Sequence, residues 1–256
     1  MIEITGLHKS FGKNHVLKGV ELSLVPPGLI AILGPNGSGK TTLIKSILGM
    51  VIPDRGEIEV DGASIKKAWE YRRQISYLPQ IARFPENIRV RELIAMVKDL
   101  RGETEMDVSL ISYFGLQPFL DKKLGNLSGG TRQKVNLVLC FMYDCPIVIL
   151  DEPTAGLDPV SLVRLKKLIK TKREEGKLIL ITTHVMDLVE ELAEEVVYLL
   201  EGNIHFRGTV AELKEKYQGR NVEESIAALL QKDGPFSLGA VASNGHAKVP
   251  ETLLEN

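Results

Sequence analysis

Leu29-Ile30-Ala31-Ile32-Leu33-Gly34-Pro35-Asn36-Gly37-Ser38-Gly39-Lys40-Thr41-Thr42-Leu43-Ile44 is the stretch whose reading decides the fold. Five apolar residues, a glycine-punctuated turn, and apolar residues recurring at Leu43, Ile44, Ile47 and Leu48 spell strand, tight turn, helix. Gly34, Gly37 and Gly39 let backbone N–H groups curl inward without Cβ obstruction, forming an anion nest. The helix expected to begin near Lys40 aims its unpaired N–H groups and positive dipole end the same way. With Pro35, Asn36, Ser38 and Thr42 completing the loop, Lys40 would reach terminal phosphates and the Thr41 hydroxyl would ligate Mg²⁺. The stretch reads as a polyphosphate site.

The bulk properties place few limits on that reading. The chain has 256 residues, enough for a sizeable core, with 44% hydrophobic and 25% charged residues, ordinary values for a globular protein. A formal charge of −1 gives no global basic field to draw it to nucleic acid or anionic lipid. No window is apolar for long enough to span a bilayer, and the start Met1-Ile2-Glu3-Ile4 has no leader pattern, so a cytosolic protein able to dock on a membrane protein is expected. Two cysteines, Cys140 and Cys145, are too few for a disulfide framework and read as reduced core residues.

Outward from the loop, Ile2 to Leu7 and Val16 to Leu24 alternate as strands of an antiparallel sheet, and Glu57 to Val60 before Asp61-Gly62 reads as a hairpin strand rejoining it. Phe11 lies in the turn between the first two strands; it is either a local core plug or a platform for stacking a nucleobase. Ile75 to Leu78 is a short strand stopped by Pro79 and Gln80. Val90 to Gly125 turns helical and reads as a helical subdomain inserted into the core. Ser128 is a good N-cap for a helix running to about Tyr143, and Gly129 and Gly130 leave its first N–H groups unshielded.

Ile147 to Leu150 is a continuous apolar run of the buried parallel-strand kind, and it ends in Asp151-Glu152. Two carboxylates at the tip of a buried strand need a partner, because desolvating them is costly. Mg²⁺ held at the phosphate loop supplies one for Asp151. Strand alternation turns Glu152 the other way, where it could polarise an attacking water. Asp158-Pro159 starts the next helix, which Gly176 stops, and Leu178 to Thr182 is a second buried strand leading to His184 at the same sheet edge. Val196 to Leu200 and Ile204 to Phe206 close with a hairpin. A helix is expected within residues 218–232, and residues 233–256, rich in glycine, serine, proline and alanine, read as a disordered tail.

Assembled in order, these pieces resemble the ATPase subunit of ATP-binding-cassette (ABC) transporters over residues 1–217. Gly34 to Thr42 resembles Walker A, Ile147 to Glu152 resembles Walker B ending in the catalytic glutamate, and Gln80 resembles the glutamine loop that senses metal and γ-phosphate. Leu127-Ser128-Gly129-Gly130-Thr131-Arg132-Gln133 resembles the family signature, Ala155-Gly156-Leu157-Asp158 the dimer-contact loop, and His184 the switch histidine. The resemblance implies an α/β phosphate-loop NTPase core with a mostly parallel sheet (residues 1–80 and 146–217), an N-terminal antiparallel β subdomain and a helical subdomain (81–145). It implies ATP and Mg²⁺, the ion held by Thr41, Gln80 and Asp151. It also implies a homodimer formed head to tail on ATP, in which Ser128, Gly129 and Gly130 serve the partner's nucleotide and Asp158, in the dimer-contact loop, also belongs to the nucleotide site. The remaining implications are a separate membrane permease at the cytoplasmic face of the inner membrane, no nucleic-acid partner and a lean to bacterial export. Phe11 stands where the family often has tyrosine, and Thr131 where glutamine is common. The short segment 90–125 has no room for the long coiled coil of repair proteins of the superfamily, the single cassette sets it apart from ribosomal members, and no guanine-specifying Asn-Lys-x-Asp occurs.

Overall fold

The computed structural model describes residues 1–66, 68–102 and 105–233. Strands β1 (Ile2–Phe11), β2 (Asn14–Leu24), β4 (Arg55–Val60) and β5 (Ala63–Ser64) form one antiparallel sheet in the order β2-β1-β4-β5. The other sheet has six strands in the order β10-β9-β3-β8-β7-β6: β3 (Gly28–Leu33), β6 (Ile75–Leu78), β7 (Ile147–Asp151), β8 (Leu178–Thr182), β9 (Glu195–Leu200) and β10 (Asn203–Thr209). All its pairings are parallel except the β9–β10 hairpin at one edge. The helices are α1 (Lys40–Ile47), α2 (Val90–Arg101), α3 (Ser109–Tyr113), α4 (Gly129–Phe141), α5 (Pro159–Glu174), α6 (Met186–Leu192), α7 (Val210–Tyr217) and α8 (Val222–Asp233). The antiparallel sheet, the parallel sheet and the helical stretch between β6 and β7 stand where the sequence places them. The expected tail from residue 234 onward lies outside the described residues.

Alternation in the parallel strands builds the core on both faces. Ile30 and Ile32 of β3 join Ile147, Ile149, Leu178 and Leu180 in one cluster, whereas Val148, Leu150, Ile179 and Ile181 face the other side. Helix α1 sends Leu43, Ile44 and Ile47 into the first of these clusters together with Ile2, Ile4, Leu22 and Leu24 of the antiparallel sheet, so it is clamped between the two sheets. That burial fixes the helix whose first residue is Lys40. On the opposite face, Phe114, Leu137, Val138 and Phe141 tie the α2–α4 segment to the sheet. A third cluster covers the β9–β10 edge, where Val222, Ile226 and Leu229 of α8 pack with Tyr198, Phe206 and Leu213.

Register determines where chemistry can gather. Ile32 of β3 and Asp151 of β7 both pair with Thr182 of β8, and Leu78 of β6 pairs with Leu150. The carboxyl ends of four neighbouring strands therefore finish level, delivering Gly34, Gln80, Asp151-Glu152 and Thr183-His184 to one sheet edge.

Candidate functional site

At that edge lies a cleft of about 290 Å³ lined by Asn36, Gly37, Ser38, Gly39, Lys40, Thr41, Thr42, Gln80, Asp151, Glu152 and His184, with Asn14 and Val16 on one wall. The residues expected from the strand tips, the histidine and the loop from Asn36 to Thr42 are thus brought together, while Gly34 and Pro35 lie behind the lining. Asn14 and Val16 were not expected: they begin β2, and only their nearness to Phe11 in sequence could have pointed to them.

The three glycines of the loop all take positive φ, as an inward-curled loop needs, and two of them also make room for neighbouring strands. A Cβ at Gly34 (φ +148°) would run into the Leu199 carbonyl of β9, and one at Gly39 (φ +108°) would lie 2.9 Å from the Val16 carbonyl. Both make room where the loop is pressed onto β9 and β2, whereas Gly37, with nothing within 4 Å of a Cβ, is required by its φ of +80°. Lys40 extends back over the loop and donates from Nζ to the carbonyls of Gly34 (2.6 Å) and Pro35 (3.0 Å). Burial lowers its pKa, and the nearby Glu152 and Asp151 charges oppose that shift. Ser38 Oγ is buried with no hydrogen-bond partner among the described residues.

Asp151 is buried at the end of β7 and accepts a hydrogen bond from Thr182 Oγ1. Burial, aided by the negative charge of Asp151, pushes the Tyr77 hydroxyl up to about 12. Glu152 corrects the expectation from strand alternation. It has left the strand, at φ +51°, and this left-handed residue swings its carboxylate round to line the same cleft as Asp151. Its backbone N–H donates to the Thr182 carbonyl at 3.0 Å, and His184 Nε2 lies 3.2 Å from its Oε1. Burial raises the Glu152 carboxyl above the usual carboxylate range, against the pull of His184 and Lys40.

Phe11 is no core plug. It ends β1 half-exposed, at 52%, with Lys9 Nζ 5.3 Å from the ring centroid. The remaining expected residues lie outside the cleft. Ser128 caps α4 by accepting from Thr131 N, and a Cβ on Gly130 would stand 2.5 Å from the Gly156 carbonyl, so this helix start is packed against the loop that follows Glu152. Asp158 caps α5, accepting from Ser161 N and Ser161 Oγ at 2.8 Å each. Those bonds hold its carboxyl down at about 2.

An inward-curled loop, a buried hydroxyl unpaired among the described residues, a lysine bonded to backbone carbonyls and two carboxylates lining the same cleft suit a polyanion carried with a divalent cation. Strand, loop and helix in this order define a nucleotide-binding α/β protein of the phosphate-loop class.

Comparisons with known proteins narrow the class. Residues 17–155 match the family model described as ABC transporter. The chain is 37% identical over 225 residues to a putative ABC transporter ATP-binding protein of Pyrococcus furiosus, covering 84% of this chain and 86% of that one. It is 30% identical over 223 residues to the ABC-type transporter ATP-binding protein EcsA of Bacillus subtilis, covering 85% and 90%. A solved ATP-binding subunit of an ABC transporter superposes with a TM-score of 0.84 at 28% identity, over 90% of this chain and 99% of that one. The chain belongs to the ABC transporter family, as an ATP-binding subunit with ATPase chemistry.

Proposed function

We propose that this subunit binds MgATP between two copies of the chain arranged head to tail and uses its hydrolysis to drive a separate membrane permease at the cytoplasmic face. The observation that carries the reading is the division of the site. The cleft holds the phosphate loop, Gln80, Asp151, Glu152 and His184, while Ser128, Gly129 and Gly130 lie on a helix start outside it. A second copy would bring its own α4 N-terminus to the open side of the cleft, where free N–H groups suit a γ-phosphate.

Within the cleft each residue has an assignable role. The loop N–H groups and Lys40 hold the phosphates, and Phe11, which does not line the cleft but ends β1 three residues before Asn14 on its wall, offers an exposed face to the adenine with Lys9 at its ring. Thr41, Gln80 and Asp151 would hold Mg²⁺, which when bound neutralises charge on the phosphates. Glu152 orients the attacking water and draws its proton, and His184, beside that carboxylate, fixes its position. Asp158 joins the contact between copies. We further infer that residues 1–80 with 146–217 form the nucleotide-binding unit and 81–145 a helical unit that can shift against it.

Contact with a permease is supported by a second cavity, of about 350 Å³, lined by Trp69, Arg72, Arg73, Leu100, Arg101 and Tyr143, among others. Trp69 and Leu100 are exposed, and no helix among the described residues is long and apolar enough to cross a membrane. Aromatic and arginine side chains in such a mixture suit a protein partner.

The test mixes two inactive proteins. Lys40→Ala spoils the loop and spares α4; Ser128→Arg spoils the α4 start and spares the loop. In a mixed dimer one of the two sites is whole, so mixing should restore hydrolysis, up to about half per dimer if the sites act independently. Zero recovery, with mixed dimers shown to be present and with Glu152→Gln mixed with wild type showing no coupling between sites, means the site is built in one chain.

A further inference from the structure

The left-handed backbone at Glu152 is the most demanding local conformation in the cleft, because a non-glycine residue holds positive φ only where its surroundings enforce it. On the upstream side the enforcement is visible: Glu152 N–H is tied to the Thr182 carbonyl of β8. On the downstream side the chain runs through Pro153, which has no N–H to anchor it, and then through two short turns in which Ala155 N bonds Glu152 O and Leu157 N bonds Thr154 O. The other anchor comes from α4. Gln133 is buried, and its Nε2 donates to the Pro153 carbonyl at 3.0 Å in a contact closed to solvent. Around it, Gly130 packs against the Gly156 carbonyl and Lys134 Nζ lies 3.4 Å from Asp158 Oδ2, so one face of the first α4 turns grips the whole segment 153–158.

We propose that Gln133 is a positioning residue for hydrolysis: by holding the Pro153 carbonyl, it keeps Glu152 in the left-handed turn that aims its carboxylate into the cleft. The inference rests on the reading of Glu152 as the group that orients water. It assigns Gln133 no contact with nucleotide: the side chain is buried and does not line the cleft of its own chain. The effect should therefore fall on the chemical step and spare binding. A carboxylate displaced by about an ångström can lose on the order of a hundredfold in rate.

The test is Gln133→Met in the full-length chain, since methionine keeps the unbranched length and adapts to the space while removing the donor. Steady-state hydrolysis of MgATP and equilibrium binding of a fluorescent ATP analogue are measured side by side. The expected result is a kcat lower by tenfold or more, with KM and analogue affinity within about twofold of wild type. A kcat reduced by less than tenfold overturns the proposal. So does a loss of affinity in proportion to the loss of rate, which is the mark of general structural damage. Glu152→Gln run in parallel separates the two readings. If it hydrolyses at the wild-type rate, the assignment of Glu152 falls on its own variant. If it is dead while Gln133→Met is fast, only the role of Gln133 falls.

Discussion

At the scale of single residues, Glu152 links burial to activity. To orient water it must be ionised, and its carboxyl titrates above the ordinary value of 4.5 because burial disfavours the charge. The acid limb of kcat/KM should therefore lie higher than for an exposed glutamate, with activity falling as pH drops through that raised point, and Glu152→Gln should bind ATP yet abolish turnover. A pH–rate profile of the wild type, with ATP binding and turnover measured for the variant, checks this. Phe11→Ala should weaken ATP binding by roughly 1–2 kcal/mol, the scale of a lost stacking contact, as measured by calorimetry. That Lys40, Asp151, Glu152 and His184 meet at one sheet edge was legible because each follows a buried strand, whereas Gln80 was marked out only by the family resemblance. The approach of Glu152 was not legible, since a left-handed residue breaks the two-residue period on which strand reading depends. Gln133 stands within the signature stretch, yet its role was hidden, because its partner is a backbone carbonyl twenty residues on, which carries no side-chain signal.

Elements show the same division. The strands read cleanly, since short unbroken apolar runs between turn residues suit a strand buried on both faces, and the caps read cleanly as Ser128 and Asp158. What escaped was a second reason for Gly34 and Gly39, which depends on β9 and β2 pressing from behind and so on tertiary packing. The Asp158 cap makes a pH-dependent prediction. Its carboxyl stands at about 2 in the folded chain against an ordinary 3.8, so the stability it lends α5 is present above 3.8 and disappears as pH falls through about 2. Asp158→Asn removes that titration, so the gap in Tm between wild type and variant should narrow as pH is lowered across this window. For α4, Ser128→Ala should cost about 1 kcal/mol of stability through the lost cap, measured by denaturant unfolding.

Across the whole molecule, the third cluster shows that α8 is part of the fold although it lies beyond the stretch matched by the family model. Glu190 of α6 receives both Lys214 Nζ (2.7 Å) and Val222 N (3.1 Å), tying α6, α7 and the start of α8 together. Ending the chain at Gln218 exposes the surface that Val222, Ile226 and Leu229 cover, and should destabilise it by roughly 3 kcal/mol or more, a drop in Tm of about 6 °C upward. Differential scanning calorimetry of the shortened chain measures it. Among all these parts one is also an optical probe. The sequence contains a single tryptophan, Trp69, and it lies before the start of β6, with the Arg73 guanidinium 5.3 Å from its ring, while Gln80 follows the end of that strand. Intrinsic emission excited at the indole band therefore reports from the arginine-lined cavity, and it should shift when a protein seats there, giving a label-free signal of docking.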